Sequence, residues 1–340
     1  MSHSLKHPKG NVLITDLSDN KKQIRIDSSA GVFVPIKSCE TNYPLSLIQL
    51  ILEVKGADYL CDEICRDIDP HYVQADLEYD LTAYFSPGEL NNIRILDFGC
   101  GSGASSMILS RMFPDSEIVG VELDENYLQI ARKRLEHYGY SNVVFFSSPS
   151  GNELPPNVGE FDLVIMSAVY EHLLPNERKT VMPLVWSVIK PGGHLFLNMT
   201  PHRWFPIEHH TTGLPLLNYL PKSLALPFAR AFSNRIDNTE PWEMLLRRGI
   251  RGATEGEILN ILETPEHQAD LVEPNRDDIR DRIDLWFSQL NKERHSSLKG
   301  LLRGILKTIR ELTGVILVPN LSLVIRKSAS PVRRPTILQR

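Results

Sequence analysis

Within "ILDFGCGSGASS", Ile95 to Ser106, one carboxylate and three alternate glycines stand close together as Asp97, Gly99, Gly101 and Gly103. Glycine has no Cβ to clash at positive φ, so such a loop can turn tightly and admit a ligand against its backbone. Gly99, Gly101 and Ala104 also satisfy the G-x-G-x-x-G/A pattern of a dinucleotide site, with Glu122 far enough on to take ribose hydroxyls. Asp97 argues for a different ligand. A fixed carboxylate there repels a pyrophosphate and attracts a cation, so the ligand should carry positive charge. A second set of reactive residues comprises Glu171 and His172, then His202, Arg203, Trp204, Glu208, His209 and His210 in "TPHRWFPIEHHTTGLP". Histidine and glutamate suit proton transfer near neutral pH, and Glu171, His172, His209 and His210 are the candidates for it. A divalent metal is not expected, because the adjacent His209 and His210 would point apart on an extended backbone.

The elements that must hold these residues alternate. Ile93 to Phe98 reads as a buried strand, and Ala104 to Phe113 as the helix whose N-terminus faces the loop's ligand. Ile118 to Leu123 is a second strand, followed by a helix that Gly139 can cap. "NVVFF" and "EFDLVIMSAVY" are a third and a fourth, and "VMPLVWSVIKPGGHLFLNMT" is a helix, a Pro-Gly-Gly turn and a fifth strand. Strands alternating with helices predict a doubly wound α/β sheet, whose ligands sit at the carboxyl ends of the strands. The candidate binding and catalytic residues fall at such ends.

Composition excludes several classes. The 340 residues are 42% hydrophobic and 23% charged, as in an ordinary globular protein. The N-terminus lacks the apolar stretch of a secretory signal and no segment is long and uncharged enough to span a bilayer, so the expected location is cytoplasmic. Cys39, Cys61, Cys65 and Cys100 form no CxxC pair, and reduced thiols are expected. The net charge of -5 is uneven: residues 301–340 hold eight Lys or Arg and one acidic residue, a net of +7, leaving -12 on residues 1–300. An acidic body does not suit a nucleic-acid binder.

The set Asp97, Gly99, Gly101, Gly103 and Glu122 resembles the acidic-x-G-x-G-x-G loop of the class I S-adenosylmethionine-dependent methyltransferases, and the likeness runs from about Ile93 to Met199. The core is similar to that of the ubiquinone-pathway methyltransferases. The resemblance implies a mostly parallel seven-stranded Rossmann-like sheet, S-adenosylmethionine as cofactor, its methionine part on the loop with Cys100, and its ribose on Glu122 beside Leu123. It places Ser150, where the family often has an Asp, toward the adenine, and Ser167 at the edge of the same site. It implies a substrate wall after the fifth strand, with Tyr170, His202, Arg203, Trp204 and Glu208 against a small-molecule or lipid-linked acceptor, methylated at oxygen. The additional carboxylate by which some members bind metal is missing between Ser167 and Tyr170. A nicotinamide-dependent oxidoreductase and a non-catalytic binding protein on the same fold are the rival readings.

Around the core at residues 91–200, residues 1–90 read as an N-terminal extension covering the substrate side, with a helix in "YPLSLIQLILEVKG" ending at Gly56. Residues 201–252 read as an irregular insertion, and 253–328 as completion of the sheet, with a capping box from Thr254 to Glu257 and two short strands around the Pro-Asn of "VILVPNLSLVIRK". Leu298, Leu301, Leu302, Ile305, Leu306, Ile309 and Leu312 form an apolar stripe beside Lys299, Arg303, Lys307 and Arg310. This is a basic amphipathic helix whose apolar face is expected to pack on the domain, the other use being contact with an anionic membrane surface. Residues 329–340 read as a disordered basic tail.

Overall fold

The structure is a computed structural model and describes residues 2–276, 279–289 and 296–329. The basic end expected to be disordered, with Arg333, Arg334 and Arg340, lies outside the described residues. The chain divides into two compact units, residues 1–150 with 154–156, and residues 151–153 with 157–340.

The first unit opens with a meander of antiparallel strands, β1 (Ser2–His7), β2 (Gly10–Asp16), β3 (Lys22–Ser28) and β4 (Ser38–Thr41), paired in chain order. Val12 and Ile14 on β2 and Ile24 and Ile26 on β3 alternate with exposed neighbours. Their buried face joins one apolar cluster with Leu47, Ile48 and Ile51 of helix α1 (Leu45–Lys55) and Leu60 and Ile64 of α2 (Leu60–Ile68). Helix α1 stops at Gly56, φ 85°, where the sequence predicts its end. After α3 (Val73–Tyr84) come β5 (Arg94–Phe98), α4 (Ala104–Met112), β6 (Glu117–Glu122), α5 (Glu125–Tyr138) and β7 (Val143–Ser147). The strands β5, β6 and β7 are parallel neighbours in that order. Asp124 caps α5 by accepting the Asn126 N–H, and Gly139 closes it in the left-handed conformation. Gly120 escapes a reading by motif. A Cβ there would stand 2.5 Å from Phe145 Cδ1 and 3.0 Å from Cys100 Sγ, so its absence lets both side chains fill the space beneath the glycine loop.

The second unit contains β8 (Phe161–Ser167), α6 (Pro175–Ser187) and β9 (Ile189–Pro201), the two strands parallel and offset by a bulge between Phe161 and Leu163. The Pro-Gly-Gly expected as a turn instead lies inside β9, where a Cβ on Gly193 would meet Asp162 O at 2.9 Å. The insertion at 201–252 is more regular than predicted: a hairpin of β10 (Ile207–Glu208) and β11 (Leu214–Pro215) precedes α7 (Lys222–Phe232) and α8 (Trp242–Arg247). Helix α9 (Glu255–Leu262), β12 (His267–Val272), α10 (Arg282–Gln289), α11 (Ser296–Thr313) and β13 (Asn320–Ala329) complete the unit. Strand β13 runs antiparallel to both β9 and β12, and the order within the unit is β12-β13-β9-β8. The strands β5 to β9 with β12 and β13 make up a seven-stranded, mostly parallel sheet, the fold class expected.

Two further expectations for this unit are corrected. Only one strand forms in "VILVPNLSLVIRK", because Ile316 and Val318 instead pack with Ile283 of α10 and Leu306 of α11. The amphipathic helix α11 also faces opposite to prediction. Its basic side docks: Arg303 and Lys307 hold the buried Asp284, and Arg310 holds the buried Asp281. Leu301, Ile305 and Leu312 stay exposed, at 61%, 48% and 80% of their surface, and Leu306 alone of the stripe's described leucines is buried. Ion pairing with two buried carboxylates outweighs burial of the stripe, because those carboxylates would otherwise stand uncompensated. Burial raises the Asp284 carboxyl, but Lys307, Arg303 and the Arg280 N–H together hold it below its ordinary value. The stability it contributes is therefore present above the ordinary carboxylate range and is lost as pH falls through that lowered value. Asp284→Ala is expected to cost about 1–2 kcal/mol near neutral pH, discounted for the solvent around the partly exposed cations. Urea melts at neutral and acid pH check this, and the difference between wild type and variant should shrink in acid.

Candidate functional site

In the first unit the glycine loop leaves β5 at Phe98 and enters α4 at Ala104. Gly99, Gly101 and Gly103 all take positive φ, at 71°, 55° and 82°. Side-chain-bearing residues resist that region, so the alternate glycines are a backbone requirement. Around Gly103 the requirement is also steric, since a Cβ would meet Ala131 Cβ at 2.7 Å. Gly101 differs. A Cβ there would meet nothing within 4 Å, so the loop turns this residue toward open space and any ligand on that side can approach its backbone. Cys100 is buried beneath the loop, its N–H and that of Gly99 both donating to Val121 O at the end of β6.

Two carboxylates bracket the loop. Asp97, 2% exposed, accepts from the Ser105 and Ser106 hydroxyls through one oxygen, Oδ2, at 2.7 and 2.6 Å. Burial pushes its carboxyl above the ordinary range despite those two hydroxyls, and the nearby Glu122 adds to the rise. Glu122 Oε2 accepts the Gly101 N–H at 2.9 Å, and Oε1 accepts the N–H groups of Leu123 and Asp124 at 2.7 and 3.0 Å. The acidic end of β6 is thus joined directly to the open glycine, while Leu123 beside it is 55% exposed. Ser150 lies past β7 on a turn closed by the Ser148 hydroxyl, which donates to Ser150 O. The serines of α4 were not legible as partners of Asp97, although Ser105 and Ser106 stand one helical turn from the loop.

In the second unit, Ser167 ends β8 opposite Asn198 of β9, and the 3-10 turn Tyr170–His172 follows. Two residues near these strand ends hold left-handed backbone without being glycine, Ala168 at φ 53° and Met199 at φ 62°. Such strain persists where surrounding structure enforces it and gathers at functional sites. Glu171 is completely buried; its Oε2 accepts from the Thr200 hydroxyl at 3.0 Å, and its Oε1 has no hydrogen-bond partner. Burial raises the Glu171 carboxyl above its ordinary value, although His172, Thr200 and Arg178 oppose the rise. His172 Nδ1 lies 2.6 Å from Arg247 O and its Nε2 3.8 Å from Glu171 Oε1. A carbonyl only accepts, so Nδ1 carries the proton and a neutral His172 presents an unprotonated Nε2 to the carboxyl.

His210 stands beside this pair, its ring 5.9 Å from that of His172 and its Nδ1 2.9 Å from Arg248 O. Gly249 permits the approach, since a Cβ there would meet His210 Nδ1 at 2.9 Å and Glu171 Cγ at 3.2 Å. His209 turns elsewhere, to Asn320 Oδ1 at 2.9 Å. Glu208 holds the hairpin: it accepts the Thr211 and Thr212 N–H groups and the Thr212 hydroxyl at 2.6–2.9 Å. Tyr170 is buried, its hydroxyl donating to Glu257 at 3.1 Å and its ring beneath Arg178, which also binds Glu257. Glu257 is therefore occupied by these partners; Thr254 accepts the Glu257 N–H. His202 is buried too, its N–H on Pro319 O, and burial depresses its imidazole to about 4, so it is neutral. Arg203 keeps a buried Nη1 without a hydrogen-bond partner, and its guanidinium lies 5.5 Å from the ring of Trp204, which stacks on Tyr219 at 6.1 Å. The unit thus gathers Glu171, His172 and His210 at one place and gives Tyr170, His202 and Glu208 largely internal partners. No cluster of three or more potential metal ligands occurs among the described residues.

Comparison with known proteins bears on the same region. Residues 95–193 match the model of a family described as a methyltransferase domain. A demethylmenaquinone methyltransferase of Lactococcus lactis is 30% identical over 135 residues, 39% of this chain and 52% of that protein. A ubiquinone biosynthesis O-methyltransferase of Acinetobacter baylyi is 26% identical over 111 residues, 33% of this chain and 45% of that one. A trans-aconitate 2-methyltransferase of Yersinia pestis is 26% identical over 192 residues, covering 56% and 58%. The chain thus spans about half the length of these curated relatives. Among solved structures, a putative sarcosine dimethylglycine methyltransferase of Galdieria sulphuraria aligns over 84% of this chain and 91% of its own at 12% identity, with a TM-score of 0.42. The glycine loop, the acidic end of β6 and the Glu-His turn all lie within the stretch that matches the methyltransferase domain model.

Proposed function

We propose that the protein transfers a methyl group from S-adenosylmethionine to an oxygen of a small-molecule or lipid-linked acceptor. The observation that carries the cofactor assignment is the open face of Gly101, flanked by a buried carboxylate at Asp97 and joined to the carboxylate of Glu122. When bound, S-adenosylmethionine supplies a methyl carbon already activated by its sulfonium. Asp97 offers negative charge to the cationic part of such a ligand, and Glu122 Oε2, which accepts only the Gly101 N–H, keeps an acceptor position for a ligand hydroxyl. Gly101 lets the ligand lie against the loop, with Leu123 exposed beside it, and Ser150 on the turn past β7 is the residue proposed toward the base. Activated methyl transfer asks chiefly for alignment and exclusion of water.

What remains is a proton on the acceptor. Glu171 Oε1, buried and unpartnered, is the group proposed to take it from an acceptor hydroxyl, becoming the neutral acid, with the unprotonated His172 Nε2 adjacent as the next acceptor for that proton. A lipid-linked acceptor is supported by the exposed row of Leu301, Ile305 and Leu312 on α11, which suits peripheral contact with a membrane. No helix among the described residues is long and apolar enough to cross one. The names of two relatives, a demethylmenaquinone methyltransferase and a ubiquinone biosynthesis O-methyltransferase, support a quinone-type acceptor, and the second alone supports transfer to oxygen.

Calorimetric titration with S-adenosylmethionine, its demethylated product and NAD in parallel tests the reading. Binding of the first two alone is the expected result; binding of NAD alone would make this an oxidoreductase. The titration should also depend on pH in one direction. A cationic ligand competes with the proton for Asp97, so affinity should fall as pH drops through that raised carboxyl, with proton uptake by the free protein displaced on binding. Asp97→Asn should bind weakly with no such slope, and a variant that kept the slope would assign it to another group.

A further inference from the structure

We propose that the N-terminal segment positions the cofactor loop through a buried charge cluster, in which Glu63 of α2 and Arg134 of α5 hold Ser102 between the open Gly101 and Gly103. This rests on the proposed function only for its ligand; the contacts lie within the first unit. Arg134 is fully buried, and its Nη1 donates to Ser102 O at 2.8 Å and to Ser102 Oγ at 3.0 Å. Its Nη2 donates to Glu63 O at 2.7 Å and Glu63 Oε1 at 3.0 Å. The Ser102 hydroxyl itself donates to Glu63 Oε1. One serine is thereby gripped at its carbonyl and at its hydroxyl. The preceding residue is tied from the other side by Glu122 through the Gly101 N–H.

The cluster extends away from the loop entirely through N-terminal elements and the helices beside them. Tyr43, just before α1, donates to Asp67 of α2 and accepts from Arg134 Nε at 3.1 Å. Arg111 of α4 binds Asp67 at 3.0 Å, and Tyr138 of α5 donates to it at 2.8 Å. Lys55, the last residue of α1, reaches Glu63 Oε2 at 3.4 Å while its ammonium sits 3.6 Å over the ring of Tyr127 at the start of α5. Burying this much charge is not a route to stability, since apolar residues of the same volume would serve as well. Its geometry explains it better: the guanidinium fork fixes a peptide whose neighbours must keep φ of 55° and 82° while one of them faces a ligand. Glu63 and Arg134 are thus positioning residues, acting through Ser102.

Ser102→Ala and Glu63→Gln separate positioning from bulk stability. Each is expected to weaken S-adenosylmethionine about tenfold by loss of a charge-assisted hydrogen bond. In the double variant the loss should match that of the stronger single, because both act on one residue. Melting temperature is read alongside. Unchanged affinity with a lowered melting temperature, or additive losses, would overturn the proposal and leave the cluster a structural feature. Amide hydrogen exchange at residues 99–104 of the ligand-free protein keeps this test apart from the cofactor assignment. If the wild type binds no S-adenosylmethionine, that assignment fails, while faster exchange at this loop in both variants would still establish positioning and unchanged exchange would still refute it.

Discussion

Asp97→Ala and Gly101→Val are each expected to weaken S-adenosylmethionine binding by at least about a hundredfold while leaving the chain folded. For Asp97 the reason is electrostatic: the carboxylate is buried, and removing a buried charge that faces a cation forfeits an interaction worth several kcal/mol in a poorly screened site. Ser105 and Ser106 lose their shared acceptor in that variant, but α4 keeps its backbone and can turn both hydroxyls to its own carbonyls. For Gly101 the reason is occupancy. The position where a Cβ would stand is open to 4 Å, so a valine there extends into the space against which a ligand would lie. Its β-branched side chain also resists a φ of 55°, at a cost of about 1–2 kcal/mol. Circular dichroism and melting temperature establish folding, and titration reads affinity. Wild-type affinity in both variants would sink the cradle assignment.

Glu171→Gln should lower kcat by about 10²–10⁴ with cofactor affinity unchanged, as expected for loss of a general base. It should also leave the protein at least as stable at pH above the raised value of the Glu171 carboxyl. The sign follows from the raised carboxyl: a buried acid favours its neutral form, so its contribution to stability is full below the ordinary value and is lost as pH rises through the raised one. Glutamine is neutral at every pH and removes that loss. The acid limb of kcat against pH should coincide with the Glu171 titration and vanish in the variant. His172→Ala should reduce turnover with retained cofactor affinity, and His209→Ala should do so as well if its loop orders the acceptor. Unchanged rates on the true acceptor would remove either residue from the mechanism. A gain in stability together with loss of rate would mark Glu171 as kept for chemistry at the fold's expense.

The backbone of the glycine loop was legible because glycine at alternate positions between a strand and a helix leaves few backbone solutions, and local sequence holds all of them. Helix α1 and its end at Gly56, the cap at Gly139 and the strand and helix series from β5 to β9 were legible for the same reason. Where the deciding contact is distant, the sequence is silent. Glu63 and Arg134 stand 71 positions apart, and nothing in the sequence local to either names the other. Glu257 reads as half of a capping box, yet its carboxylate answers to Tyr170 and Arg178. Helix α11 shows the converse. Its stripe predicts a buried face, but Asp281 and Asp284, outside the helix, decide which side docks. The meander over β1 to β4 hides its alternation behind polar outward positions, and so reads as mixed.

The same separations set an order of assembly. Adjacent strands of the meander are joined by short links, Gly10 pairing with His7 and Lys22 with Asp16, so their loops close at little entropic cost. Arg134 can meet Tyr43 only after 91 residues of chain have been drawn together. During synthesis the meander and α1 would be exposed and able to form long before α5 exists, whereas the cluster must wait for it. An emerging chain therefore spends that interval with Glu63 and Asp67 lacking their buried cation. Slowing of refolding by Arg134 substitutions, with the meander's own rate untouched, would be the kinetic signature of that wait.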